Sequence, residues 1–121
     1  MSNYIRTDVA FSIKENVLDE FKNLIGKMVR NTESKEPDAL VYEWYLSENG
    51  LECHLLETFK DSDAFMVHLD NLSVFLDQLW DLSTLTGFKT FGNPSAELQE
   101  SLSSFPVPIQ YFSHTDGLTR D

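Results

Sequence analysis

The three histidines, His54, His68 and His114, are the side chains best suited to acid–base chemistry near neutral pH. No two of them are four residues apart, as on a zinc-binding helix, and the single cysteine offers no paired thiolates, so no metal site is expected. His68 stands out because Phe65 and Leu69 share its predicted helix face, which should turn its ring toward a sheet. It is either a base or hydrogen-bond donor toward a ligand, or a donor that only crosses the core.

Glu57 is the second ionisable side chain in an unusual setting, because it falls in a predicted strand among Leu55, Leu56 and Phe59. An ionised carboxylate there is costly unless it is paired, hydrogen-bonded or protonated. One interpretation is that Glu57 orients His68. The other, which the sequence alone slightly favours, is a strand-edge carboxylate that meets solvent or a backbone amide at a dimer contact.

Aromatic side chains are the remaining candidates for ligand binding. On strands they pack in a core more often than they form a ligand cage, so both interpretations stay open. The predicted pocket residues are Tyr42, Trp44, Phe65 and Trp80.

The composition argues against several classes of function. Nine basic and twenty acidic residues give a formal net charge of -11, which repels nucleic-acid phosphates and anionic lipids. No apolar run is long enough to span a membrane, and residues 1–8 lack a secretion-signal pattern, so a cytoplasmic location is expected. No phosphate-binding loop or nucleophile motif is present, and Cys53 is interpreted as a buried thiol without chemistry.

The first part of the chain predicts a strand followed by an amphipathic helix. Residues 7–13 alternate apolar and polar side chains with the period of a strand. Apolar residues then recur with helical spacing over residues 17–29, and Asn16 is expected to be the N-cap. Glu36-Pro37-Asp38 breaks this pattern, because proline disfavours helical geometry in the residue before it.

A hairpin is predicted next. Residues 39–46 and 51–59 have strand composition, and Asn49-Gly50 between them readily supplies the positive φ angles of a tight turn. Asp61-Ser62-Asp63 then offers capping oxygens for the helix that carries His68, and a second helical stretch follows over residues 72–80.

The last third of the chain predicts a strand, a small helix and an edge strand. Residues 85–91 form the strand, with Gly87 as a possible bulge. Asn93-Pro94 should supply a cap and a first-turn proline for a helix over residues 95–104. Residues 107–112 have strand composition, but Pro106 and Pro108 restrict them to an edge.

This order predicts an α+β fold, a ferredoxin-like β-α-β-β-α-β sandwich with an extra C-terminal helix and strand. We expect one domain over residues 1–121, with a core at 7–92, the extension at 93–113 and a frayed tail at 114–121. Both helices should cover one face of the sheet. Val41, Tyr45 and Leu56 would lie on the other face, which favours a homodimer with residues 107–112 as a clasp between subunits.

Three segments carry a resemblance to a known family. Glu36-Pro37-Asp38 precedes a strand with Tyr42-Glu43-Trp44-Tyr45, the next strand ends Leu56-Glu57-Thr58-Phe59, and the following helix reads Asp63-Ala64-Phe65-Met66-Val67-His68-Leu69. Over residues 9–91 the chain resembles the antibiotic biosynthesis monooxygenases and small quinol monooxygenases of the dimeric α+β barrel superfamily. The resemblance implies a homodimer in which each subunit keeps a small pocket between its sheet and its helices.

Some members of this family oxygenate phenols or quinols without metal, flavin or haem. The resemblance therefore implies a cofactor-independent monooxygenase for a small aromatic or quinol-like molecule, with His68 and Glu57 as the catalytic residues. Haem-degrading relatives carry an asparagine on the first strand, and residues 8–12 contain none. The alternative is a non-catalytic small-ligand-binding or dimerisation module, because a shared fold does not fix a reaction.

Overall fold

Residues 3–120 are described by a computed structural model. Residues 1 and 2, part of the segment searched for a secretion signal, and residue 121 of the predicted tail lie outside the described residues. The elements in chain order are β1 (Ile5–Ile13), α1 (Leu18–Lys35), β2 (Ala39–Leu46), β3 (Glu52–Phe59), α2 (Ser62–Leu72), a 3₁₀ turn (Ser73–Phe75), α3 (Leu76–Leu82), β4 (Ser83–Phe91), α4 (Ala96–Leu102) and β5 (Gln110–Phe112).

The five strands form one sheet in the order β2-β3-β1-β4-β5. The first four strands pair antiparallel, and the short β5 pairs parallel with β4 at the edge. The predicted α+β, ferredoxin-like fold is confirmed. β5 joins the sheet of its own chain, as an edge strand with prolines should, and its role as a clasp between subunits stays a prediction.

The start of α1 differs from the prediction. Asn16 has φ 66 and is not the N-cap, because a capping residue is normally extended whereas asparagine tolerates the left-handed region. The helix begins at Leu18 and continues to Lys35, and Glu36 is its C-cap. Pro37 forces only Glu36 out of helical geometry, so the helix extends nearly two turns beyond the last apolar residue of the predicted pattern.

The β2–β3 connection is longer than the predicted two-residue turn. Gly50 has φ 72, and Asn49 is not among the described residues with positive φ. The Asn49 side chain instead accepts hydrogen bonds from the Ser47 hydroxyl and the Leu51 amide, which closes a five-residue loop. A Cβ at position 50 would lie 2.8 Å from a Leu18 methyl, which the leucine side chain can move to relieve, so the positive φ is what favours glycine here.

The elements from α2 to α4 follow the prediction, except for the cap of α4. Asp61 caps α2 by accepting from the Ala64 amide at 2.8 Å, as expected. The pairing of β1 with β4 shifts beside Gly87, which confirms the bulge. The cap of α4 is Ser95 rather than Asn93, because the Ser95 hydroxyl accepts from the Leu98 amide.

All of the helices that cover the core lie on one face of the sheet. Along β1 and β3 every second residue is buried under them, and the alternate residues face away. The uncovered face mixes polar groups, among them the His54–Asp8 pair at 2.7 Å, with Tyr45 and Leu56, which are 51% and 38% exposed. Within residues 3–120 no helix is long and apolar enough to cross a membrane.

Candidate functional site

His68 is held in the interior by the register of α2. The Asp61 cap fixes where this helix begins, and Phe65 and His68, three residues apart, fall on the side that faces the sheet. Both are 1% exposed. The His68 ring packs near the rings of Tyr42 and Phe59, at centroid distances of 5.0 and 5.1 Å. The expectation that His68 points toward the sheet is confirmed.

Two buried carboxylates flank the His68 ring. Nδ1 lies 2.9 and 3.1 Å from the two carboxylate oxygens of Glu36, and Nε2 lies 3.2 Å from Oε2 of Glu57. The Thr7 hydroxyl donates to the other oxygen of Glu57 at 2.6 Å. Glu36, Glu57 and Thr7 are each at most 5% exposed. We call Glu36, His68 and Glu57 together the Glu36–His68–Glu57 group.

The electrostatics of the group favour a charged imidazole. Burial alone lowers the pKa of His68, but the hydrogen bonds and negative charge of Glu36 and Glu57 outweigh it and raise the pKa from 6.5 to about 9. Proton binding by His68 therefore stabilises the fold fully below pH 6.5, and this contribution is lost as the pH rises through about 9. At neutral pH His68 is a donor or an acid rather than a base.

The preferred interpretation of Glu57 was wrong. Glu57 lies on β3, between β2 and β1, and its side chain faces the helices rather than solvent. The wrong interpretation assumed that an acidic residue in a strand lies at an edge of the sheet, whereas β3 is an inner strand. Thr7, which pairs with Glu57 across β1 and β3, supplies the hydrogen bond that makes burial of the carboxylate tolerable.

A cavity lies between the sheet and the helices beside this group. Its volume is about 40 Å³. All six residues predicted for the site line this cavity. They are His68, Glu57, Tyr42, Trp44, Phe65 and Trp80. The other lining residues are apolar, and Leu72, Leu76 and Phe105 are half-buried, which places the mouth near them.

Two buried polar atoms beside the cavity make no hydrogen bond of good geometry. Nε2 of His68 meets no acceptor with hydrogen-bond geometry, although Glu57 is within ion-pair distance, and the buried Nε1 of Trp44 also meets none. Burial, together with the negative charge of Glu57, raises the pKa of Tyr42 far above its ordinary value, so the phenol stays neutral. The site therefore combines an imidazolium, a neutral phenol and an indole N–H around an apolar space.

Solved structures share this arrangement of elements. MupZ from Pseudomonas fluorescens aligns with a TM-score of 0.80 and 22% identity over 98% of this chain and 96% of its own. SnoaB, a cofactor-independent oxygenase from Streptomyces nogalater, aligns at 0.66 and 14% over 78% and 97%. A Bacteroides thetaiotaomicron protein assigned to the antibiotic biosynthesis monooxygenases aligns at 0.64 and 17% over 69% and 84%. No family model and no curated protein matches the sequence.

The chain has the antibiotic biosynthesis monooxygenase fold. The resemblance inferred from the sequence is thus confirmed at the level of the fold. The alignment with MupZ extends over nearly all of this chain, whereas those with SnoaB and the Bacteroides protein cover 78% and 69% of it. The reaction has to be inferred from the site itself.

Sequence reasoning missed two members of the site in this monooxygenase-like fold. Glu36 was interpreted only as the end of a helix, yet Pro37 fixes its backbone in an extended form at the point where its side chain reaches His68. Thr7 was assigned only to the alternating pattern of the first strand. Thr7, Val9 and Phe11 are two residues apart and therefore share one face of the strand. Because Val9 and Phe11 are apolar and buried, this spacing indicated that Thr7 also faces inward.

Other candidate chemistries gain no support from the structure. No group of three or more histidine, cysteine, aspartate or glutamate side chains within residues 3–120 is arranged to hold a metal ion. Cys53 is buried on β3, and burial raises the pKa of its thiol to about 12, so the thiolate is scarce at neutral pH.

Proposed function

We propose that the cavity beside His68 binds a small aromatic or quinol-like molecule and that the protein oxidises it with dioxygen, without a metal, flavin or haem. The observation that carries this proposal is the burial of His68 between Glu36 and Glu57, with Nε2 lacking an acceptor at the wall of an apolar cavity. The similarity of the fold to SnoaB, a cofactor-independent oxygenase, supports it.

The group offers both partners that a phenolic hydroxyl needs. Oε2 of Glu57 can accept the phenolic proton, because Thr7 occupies the other oxygen, and the imidazolium can stabilise the resulting phenolate. A phenolate is electron-rich enough to pass an electron to dioxygen. One phenol and one dioxygen yield a quinone and one water, so no external reductant is required. The apolar wall keeps water away and strengthens these electrostatic interactions.

Oxygen uptake tests this proposal. The purified protein is supplied with a panel of phenols and hydroquinones, and dioxygen consumption is followed alongside quinone absorbance. We expect consumption above the uncatalysed rate with one product quinone per dioxygen. A panel that binds in the cavity but consumes no dioxygen would remove the basis for the oxygenase.

A second candidate is proton-transfer chemistry without dioxygen, such as an isomerisation. The observation that favours it is the charge state, because a protonated His68 beside two carboxylates is a ready acid and base. Ligand conversion that proceeds at the same rate in the absence of dioxygen would select this candidate. Binding without any conversion would select the non-catalytic module.

We infer that two copies of the chain pair through the uncovered face of the sheet. Tyr45 and Leu56 are exposed on this face, and β5 extends it with Phe112 stacked on Phe91 at 5.3 Å. Covering such apolar groups favours association. The resemblance stated from the sequence implies the same assembly.

The dimer is tested by light scattering of the parent and of a double variant, Tyr45→Glu with Leu56→Glu. We expect a mass about twice 13.9 kDa for the parent and a monomer for the variant, because two buried carboxylates oppose association. Val74→Glu is the matched control, since Val74 is 78% exposed in the 3₁₀ turn on the helical side. A monomeric parent at micromolar concentration contradicts the inference.

A further inference from the structure

The indole of Trp44 is held rigidly in the cavity wall. Its ring stacks on Phe11 at a centroid distance of 5.6 Å and meets Phe21 and Tyr42 edge-on at 6.2 and 5.9 Å. Packing on three sides leaves the ring little freedom to rotate toward another acceptor. The direction of its N–H is therefore set before any ligand arrives.

The Trp44 N–H is a buried donor that makes no hydrogen bond of good geometry, and its polar neighbour is the Tyr42 side chain. Leaving a buried donor unsatisfied is destabilising, so natural proteins rarely keep one without a reason. Among the described residues two other buried side-chain polar atoms share this condition, Nε2 of His68 and the hydroxyl of Thr90. His68 lines the same cavity as Trp44, whereas Thr90 does not. Two donors that make no hydrogen bond of good geometry thus border one mainly apolar space, although Nε2 of His68 also lies 3.2 Å from Oε2 of Glu57.

The two donors belong to different parts of the cavity. Trp44 and Tyr42 alternate on β2, so their Cα atoms are about 7 Å apart along the strand. Tyr42 pairs with Glu57 across the sheet and packs under His68, whereas Trp44 pairs with Leu55. A ligand with two oxygens spaced along β2 can meet both donors.

We propose that Trp44 is a specificity-determining residue whose indole N–H binds a second oxygen of the ligand. The ligand then carries one hydroxyl at Glu57 and His68 and a neutral acceptor, a carbonyl or an ether oxygen, at Trp44. A carboxylate is a poorer acceptor here, because two carboxylates already face a single imidazolium. This inference rests on the proposed function in one respect, which is that the hydroxyl end is the one placed at His68.

The test compares two phenols of nearly equal shape, para-hydroxyacetophenone, which has a carbonyl, and para-isopropylphenol, which lacks it. Dissociation constants are measured by calorimetry with the parent and with Trp44→Phe, which removes the N–H but keeps an aromatic ring. A net hydrogen bond of about 1 kcal/mol makes the ketone bind roughly fivefold more tightly to the parent. In Trp44→Phe we expect the ratio of the two dissociation constants to fall to about one, whatever common change the smaller ring causes in the affinity for both phenols.

The chain has two tryptophans, which gives a second measurement that needs no substitution. In a nitrogen-15 spectrum of the parent, the ketone should shift the indole signal of Trp44 more strongly than isopropylphenol does, and Trp80, which also lines the cavity, serves as the internal reference. Equal affinity of the parent for both phenols, equal weakening of both by Trp44→Phe, or failure of both to bind would overturn the inference. A ketone preference that persists without dioxygen consumption would leave it intact while removing the oxygenase.

Discussion

Glutamine at position 68 is expected to lower kcat/KM for the oxidation of a phenol by roughly 10²- to 10³-fold, the range for loss of one group that stabilises a developing oxyanion. Glutamine can still donate hydrogen bonds through its amide nitrogen but carries no charge, so it cannot stabilise a phenolate as the imidazolium does. The carboxylates of Glu36 and Glu57 would also lose the cation between them. Dioxygen consumption by His68→Gln and by the parent, at several phenol concentrations, measures the effect.

His54→Gln is the matched control for this variant. His54 makes a comparable contact with a carboxylate, 2.7 Å from Asp8, but it does so on the uncovered face of the sheet, and its side chain is 52% exposed. Its removal should leave the rate within about twofold, because an exposed ion pair contributes little. If the two variants lose activity equally, or if neither does, His68 has no special part in the reaction. Far-ultraviolet circular dichroism of both variants confirms that each is folded.

Leucine at position 68 is expected to lower the free energy of unfolding at pH 7 by about 3–5 kcal/mol, the cost of breaking a buried ion pair by removing one partner. Two carboxylates at most 5% exposed would then face each other across an apolar side chain. Urea denaturation of the parent and of His68→Leu measures the loss.

A triple variant separates charge from shape. Adding Glu36→Gln and Glu57→Gln to His68→Leu removes both uncompensated carboxylates, and we expect it to recover more than half of the lost stability. A loss below about 1 kcal/mol for His68→Leu would contradict an ionised group in the interior. A large loss that the triple variant does not recover would mean that the packing of the imidazole, rather than its charge, stabilises this region.

The order of helices and strands could be predicted because it depends on the pattern of apolar and polar residues that are close in sequence. Residues 39–46 were predicted as a strand with the bounds that β2 has, and the Asp61 cap was placed correctly. Both features depend on side chains close in sequence. The beginning of α1 could not be predicted in the same way, because Asn16 is equally suited to a cap and to a left-handed residue, and tertiary contacts decide between the two.

The site was predictable only where a residue broke a local pattern. His68 and Glu57 were noticed because each is an ionisable residue among apolar neighbours, and the fold brings both to one cavity. Glu36 gave no such signal, since an acidic residue before a proline is ordinary at the end of a helix. Its contact with His68 spans 32 residues of sequence and depends on how α1 and α2 pack. Long-range pairing of this kind is not encoded in periodicity.

The state of the His68 ring links the fold to the proposed chemistry, since only an imidazolium carries a positive charge and an N–H toward each of the two carboxylates. A nuclear magnetic resonance titration of the nitrogen-15-labelled imidazole signals between pH 5 and 10.5 measures that state directly. His68 should titrate near 9, with both ring nitrogens protonated at pH 7, and Glu36→Gln should lower the value. A His68 signal that is already neutral at pH 7 would contradict the charged Glu36–His68–Glu57 group and the function built on it.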